Sequence, residues 1–163
     1  MTRQLMAKTQ PSQEQQRLAA NLFNLTWSLL TKDERTRADD DRMLHAAHAS
    51  RFHWGEVGEV VNFVRGEWQC SRVYAVLRRA EPALYHAQRC LDWCEGGEGL
   101  EDFDLPYAYE ALARAHLLAG NADEAHRYQR LACELGEQIA DDEDRELFLR
   151  DIESLTGLRR SNS

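Results

Sequence analysis

The chain has 163 residues, one domain's worth and long enough to bury a core. Its 43% apolar and 29% charged residues are the proportions of a soluble globular protein, and three prolines with glycines confined to plausible turns point to an all-helical chain. A formal charge of −8, with Arg and Lys dispersed, argues against a nucleic-acid partner, because phosphate binding needs a basic face.

Residues 1–11 are polar and are expected to form a mobile N-terminal segment ending at Pro11. The stretch MTRQLMAKTQPSQEQQ has no apolar core of the kind a secretory signal needs. Ser12 with Gln15 has the spacing of a capping box, which predicts the start of the first helix and of a single helical domain over 12–155. Leu18, Leu22, Leu25 and Leu29 form its stripe, widened by Phe23, Trp27 and Leu30. A polar turn from Thr31 to Arg37 leads to a second helix over 38–54, which Gly55 and Gly58 end.

The third helix is predicted over 60–79 and the fourth over 82–94, with Pro82 tolerated in a first turn. A Gly- and acid-rich loop from Glu95 follows, and Asp104 is expected to cap the fifth helix. Gly120-Asn121 separates the fifth from the sixth, which Asn121 and Glu124 would start as a capping box and which ends near Ile139. The seventh, over 142–155, carries Leu147, Phe148, Ile152 and Leu155 on one side, and 156–163 is a polar tail. No apolar run approaches the roughly 18 residues of a transmembrane helix, so no membrane association is expected. Cys70, Cys90, Cys94 and Cys133 include no CxxC pair and are read as small core hydrophobes in a reducing, cytoplasmic compartment.

The segment YAYEALARAHLLAGNADEAHRYQRLACEL makes a helical hairpin with a repeat-like pattern: Tyr109, Leu112, Ala113 and His116 before Gly120, then Ala125, Tyr128 and Ala132. Upstream, Trp68, Ser71 and Tyr74, then Ala83, Ala87, Cys90 and Leu91, repeat the scheme. Over residues 64–139 the chain resembles a tetratricopeptide repeat, with His116 where Tyr is usual and without the closing Pro after Leu135. Ala83 and Ala125 are equivalent, which sets the period at 42 against the usual roughly 34 residues. The resemblance implies an α-solenoid of about three antiparallel hairpins closed by a C-terminal capping helix.

It also implies that the first helix of each hairpin lines a concave groove. Arg65, Gln69 and Arg72 align on the third helix beside Trp68, and Tyr107, Glu110 and Arg114 align on the fifth. Arginine forks there would clamp a carboxylate or phosphate, and the aromatics would give rigid apolar contact area. The expected function is therefore a peptide- or protein-binding module or small scaffold. The bland alternative for the same residues is a solvated face of ordinary ion pairs.

DDDRMLHAAHASRFHW supplies a second reading. Asp41, His45, His48 and Phe52 fall within about 60° of one another on a helix, and His53 lies roughly 80° from His45. Two imidazoles and a carboxylate on one face are the ligand set of a divalent transition-metal site, to be completed by Glu67 or Glu110. A hydrolase or oxygenase would follow from open coordination positions; against it, an HxxH spacing is also met in helix packing. A third reading is a homo-oligomer joined through Phe52 and Trp54. His116 fits a packing role, while His86 and His126 look solvent-facing. EGGEGLED has acids where a phosphate loop needs amides and cations, and no Ser or Cys sits in a nucleophile turn.

Overall fold

The computed structural model describes the backbone of residues 2–160 and the side chains of residues 12–155. Among these the chain is helical throughout, without strands: α1 (Thr2–Leu30), α2 (Arg37–Val57), α3 (Val60–Val76), α4 (Ala80–Gly96), α5 (Asp104–Ala119), α6 (Ala122–Gly136) and α7 (Asp142–Arg160). The expected all-helical class is the one observed. The last residues of the predicted polar tail, 161–163, lie outside the described residues, whereas the tail's first part continues α7.

Helix ends follow local chemistry, though not always at the residues the sequence suggested. α1 begins at Thr2 and runs through Pro11, so Ser12 and Gln15 stand inside it rather than starting it. Gln15 instead bonds across to His53 of α2 at 3.1 Å. The capping box that does form is at Thr36, whose hydroxyl accepts from the Asp39 N–H while Asp39 accepts from the Thr36 N–H. Lys32, donating at 2.6 Å, and then Thr36 hold the Asp39 carboxyl down to about 2. Asn121 makes no cap bond to α6; its amide meets His116 Nδ1 at 3.3 Å. Gly120 ends α5 at φ 81°, a left-handed conformation that glycine adopts without a Cβ penalty.

Each helix packs on its sequence neighbours, and the odd-numbered helices also touch in series, α1 on α3, α3 on α5 and α5 on α7. Among the described residues the backbones of the even helices come close only to those of their sequence neighbours. The odd helices therefore share one side of the molecule. The core is divided along this series, with Leu29, Met43, Ala47, Cys70 and Val73 between the first three helices. Val64, Ala87, Cys90, Leu91 and Leu112 fill the next interval, and Ala113, Ala132, Ile139, Phe148, Ile152 and Leu155 the last.

Small residues set the spacing inside each pair. Ser50 of α2 donates to the Ala19 carbonyl of α1 at 2.8 Å, and Ser71 of α3 to the Ala83 carbonyl of α4 at 2.9 Å. These bonds satisfy hydroxyls that are otherwise fully buried. Within α1 the buried line runs Ala19, Thr26, Leu29, while Leu18, expected on the stripe, is 45% exposed. The Cys70 thiol, buried among apolar neighbours, is pushed up to about 12, in keeping with a packing role.

Candidate functional site

The shared side of the odd helices encloses a cavity of about 430 Å³. α3 contributes Val64, Arg65, Trp68 and Arg72, and α5 contributes Asp104, Tyr107, Glu110 and Arg114. α1 closes it with Phe23 and Trp27, and α7 with Leu147 and Asp151. Six of the seven predicted groove residues therefore meet in one place, because residues three and four apart on a helix share a face. The seventh, Gln69, is turned into the packing: its amide donates to the Phe23 carbonyl at 3.0 Å and ties α3 to α1.

The walls are largely aromatic. Trp27 and Trp68 lie 5.5 Å apart, Trp68 meets Tyr107 edge-on at 5.6 Å, and Tyr107 meets Phe148 edge-on at 4.9 Å. Such edge and tilted arrangements favour a rigid wall.

Charges in the cavity are mostly matched. Arg65 donates to Asp104 from Nε at 3.1 Å and from Nη2 at 3.3 Å, and its guanidinium lies over the Phe103 ring at 5.2 Å. Arg114 donates from Nε at 2.8 Å and again from Nη2 to Glu110, which also accepts the Trp68 indole N–H at 3.2 Å. Tyr107 donates its hydroxyl to Asp151 at 2.8 Å. Burial, then that bond to a carboxylate, raises the Tyr107 pKa, so the phenol stays protonated as a donor.

Arg72 differs. Among the described residues no carboxylate reaches it within ion-pairing distance. Burial and then Arg114 lower its pKa, against the weaker pull of Glu110, Asp151 and Tyr107. Arg65, expected to share a clamp with Arg72, is committed to Asp104 instead.

The His-rich face of α2 is disposed differently from its expected role. Asp41 and His45 are exposed, while His48 turns inward and shares a 2.8 Å hydrogen bond between Nε2 and the Tyr74 hydroxyl. Its ring stands edge-on to His86 at 5.3 Å, and His86 stacks on Tyr74 at 5.6 Å. His86, which looked solvent-facing, donates from Nδ1 to Glu67 at 2.6 Å, and Arg51 donates to the other Glu67 oxygen at 2.8 Å. Burial pushes the Glu67 carboxyl up, but His86 and Arg51 together bring it below its ordinary value.

Glu67 and Glu110, named as completing ligands, are thus each held by an arginine. Among the described residues no group of three or more His, Cys, Asp or Glu is arranged to hold a metal ion. His116 stacks on Tyr128 at 5.5 Å, Phe52 is 63% exposed, and Trp54 is half-buried.

Sequence reasoning missed the walls from α1 and α7. Periodicity places Phe23 and Trp27 only on a widened core stripe, and nothing in the sequence singles out Asp151. No helix in the described residues is long and apolar enough to cross a membrane. Comparison of the chain with protein-family models, with curated proteins and with solved structures found no match in any of the three.

Proposed function

We propose that the chain is a small tetratricopeptide-like interaction module, working in the cytoplasm, that holds a peptide segment of a partner protein against the side shared by its odd-numbered helices. The observation that carries this reading is the cavity of about 430 Å³, walled by Trp27, Trp68 and Tyr107 and bordered by arginines. Aromatic and arginine side chains in a desolvated hollow are the residues that dominate binding energy at interfaces. The rim adds apolar contact outside the hollow, since Trp27 is 36% and Leu147 51% exposed. Pairing of Arg65 and Arg114 with carboxylates leaves no basic stripe for a nucleic-acid backbone.

Affinity capture with the wild-type chain and with Arg72→Ala and Trp27→Ala variants tests this reading. Loss of the captured partner from both variants, with helical circular dichroism unchanged, is the expected result. Full retention of every partner by both variants would sink it.

A further inference from the structure

Three arginines and three carboxylates face the cavity. Arg65 with Asp104 and Arg114 with Glu110 satisfy one another as ion pairs. That leaves Arg72 and Asp151, one cation and one anion, on α3 and α7. Among the described residues neither lies within ion-pairing distance of an opposite charge, although Glu110 and Asp151 act on Arg72 electrostatically, and the Asp151 carboxylate accepts from the Tyr107 hydroxyl. A charge withdrawn from water without a partner is costly. The lining as a whole is neutral, so a ligand bearing one net charge would leave an imbalance, whereas a ligand bearing both signs would leave none.

We infer that the cavity is a binding site for a small zwitterion with a flat apolar body, of the class of free aromatic α-amino acids. Its carboxylate meets Arg72, its ammonium meets Asp151, and its ring lies among Phe23, Trp27 and Trp68. The volume of about 430 Å³ falls within the roughly 300–1,000 Å³ of small-ligand pockets, and the mix of apolar walls with a few placed charges is their usual chemistry. A guanidinium fork takes a carboxylate through two parallel hydrogen bonds, and the ring quadrupoles of the tryptophans add attraction for the ammonium end. The inference rests on the reading of the same cavity as the binding face, and it goes beyond that reading by assigning the hollow itself to a free zwitterion.

Calorimetric titration of the full chain tests it with four probes: L-tryptophan, N-acetyl-L-tryptophan, L-tryptophan amide and the doubly blocked N-acetyl-tryptophan amide. L-Tryptophan is expected to bind tightest, with each blocked end weakening binding by about tenfold or more, the scale of one hydrogen bond to a charged group. Arg72→Gln should abolish the preference for the free carboxylate, and Asp151→Asn the preference for the free ammonium. Because the four-probe comparison uses the wild-type chain, it stands even if a variant fails to fold.

Equal binding of all four probes overturns the assignment of Arg72 and Asp151. Binding of the doubly blocked probe alone overturns the zwitterion and leaves the peptide-groove reading intact. No binding of any probe at millimolar concentration overturns the zwitterion, while the peptide reading stands or falls by the capture experiment.

Discussion

Arg78 holds φ at 58° just after α3, where the chain turns through bonds from the Arg78 N–H to the Ala75 carbonyl and from the Arg79 N–H to the Tyr74 carbonyl. A side chain in that left-handed region costs roughly 1 kcal/mol that glycine would not. Arg78 is exposed, so Arg78→Gly is expected to raise stability by about 0.5–1 kcal/mol, read from the denaturant midpoint at unchanged slope. A lower midpoint would mean that the arginine makes a contact worth more than the strain.

His48 gives the opposite lesson, a residue whose neighbours set its proton. Burial first, then the adjacent His86, lower its pKa, while Glu67 pulls the other way and His45 adds a little to the lowering. The other groups around it are Tyr74, with Arg79 over that ring at 5.5 Å, and Tyr85, edge-on to His86 at 5.1 Å. With the folded pKa below the unfolded one, its stability contribution is complete above about pH 6.5 and is lost as pH falls from there through the lower folded pKa. Thermal melts from about pH 7.5 down to about 5.5 should therefore show a falling Tm. His48→Gln, whose amide can either donate to or accept from the Tyr74 hydroxyl, should flatten that slope. A remaining slope is expected from His116, which burial also lowers. Parallel slopes for wild type and His48→Gln would rule out His48 as a source.

Between elements, α6 comes close to α7 at Gly136. A Cβ at Gly136 would run into Cε1 and Cδ1 of Phe148, a fully buried ring at the centre of the last core cluster. Gly136→Ala should cost about 1–3 kcal/mol by overpacking, and Phe148→Leu added to it should recover part of that loss in a chemical melt. Additive penalties in the double variant would show that the ring is not what the methyl meets. The glycine's role was not legible beforehand, because nothing in a sequence says which ring crosses which backbone.

Helix existence was legible, since stripes such as Ala125, Tyr128 and Ala132 survive as buried or half-buried lines. Caps were less so. Ser12, Asp104 and Asn121 all have cap chemistry, yet the first stands inside α1 and the last makes no cap bond to α6. Asp104 is the first residue of α5, where its carboxylate accepts the Glu101 N–H at 2.9 Å as well as Arg65. Short polar side chains choose among several donors, and tertiary partners decide. The candidate site was legible on α3 and α5, whose polar and aromatic residues recur at helical spacing. It was invisible on α1 and α7, because periodicity within a helix is silent about which distant helix it faces.

At the scale of the molecule, the cavity joins Phe23 near one end of the chain to Asp151 near the other. Folding of the helices in series, each resting on its neighbours, predicts graded rather than uniform stability. Removal of α7 takes away Phe148, Ile152 and Leu155, each worth roughly 1.5–3 kcal/mol of burial. In hydrogen exchange, α5 and α6 should then lose protection well before α2. Equal loss in every helix would show that the chain folds as one unit.

The same arrangement has an optical consequence. Trp27 and Trp68 sit on different helices with ring centroids 5.5 Å apart and planes tilted by 31°. Transition dipoles that close and that skewed couple, so the pair gives circular dichroism a split band of opposite signs that neither indole gives alone. The amplitude of that band depends on the separation and the tilt of the two rings together, and so follows the packing of α1 on α3. Light absorbed by two native side chains thus reads the state of the cavity wall without any label.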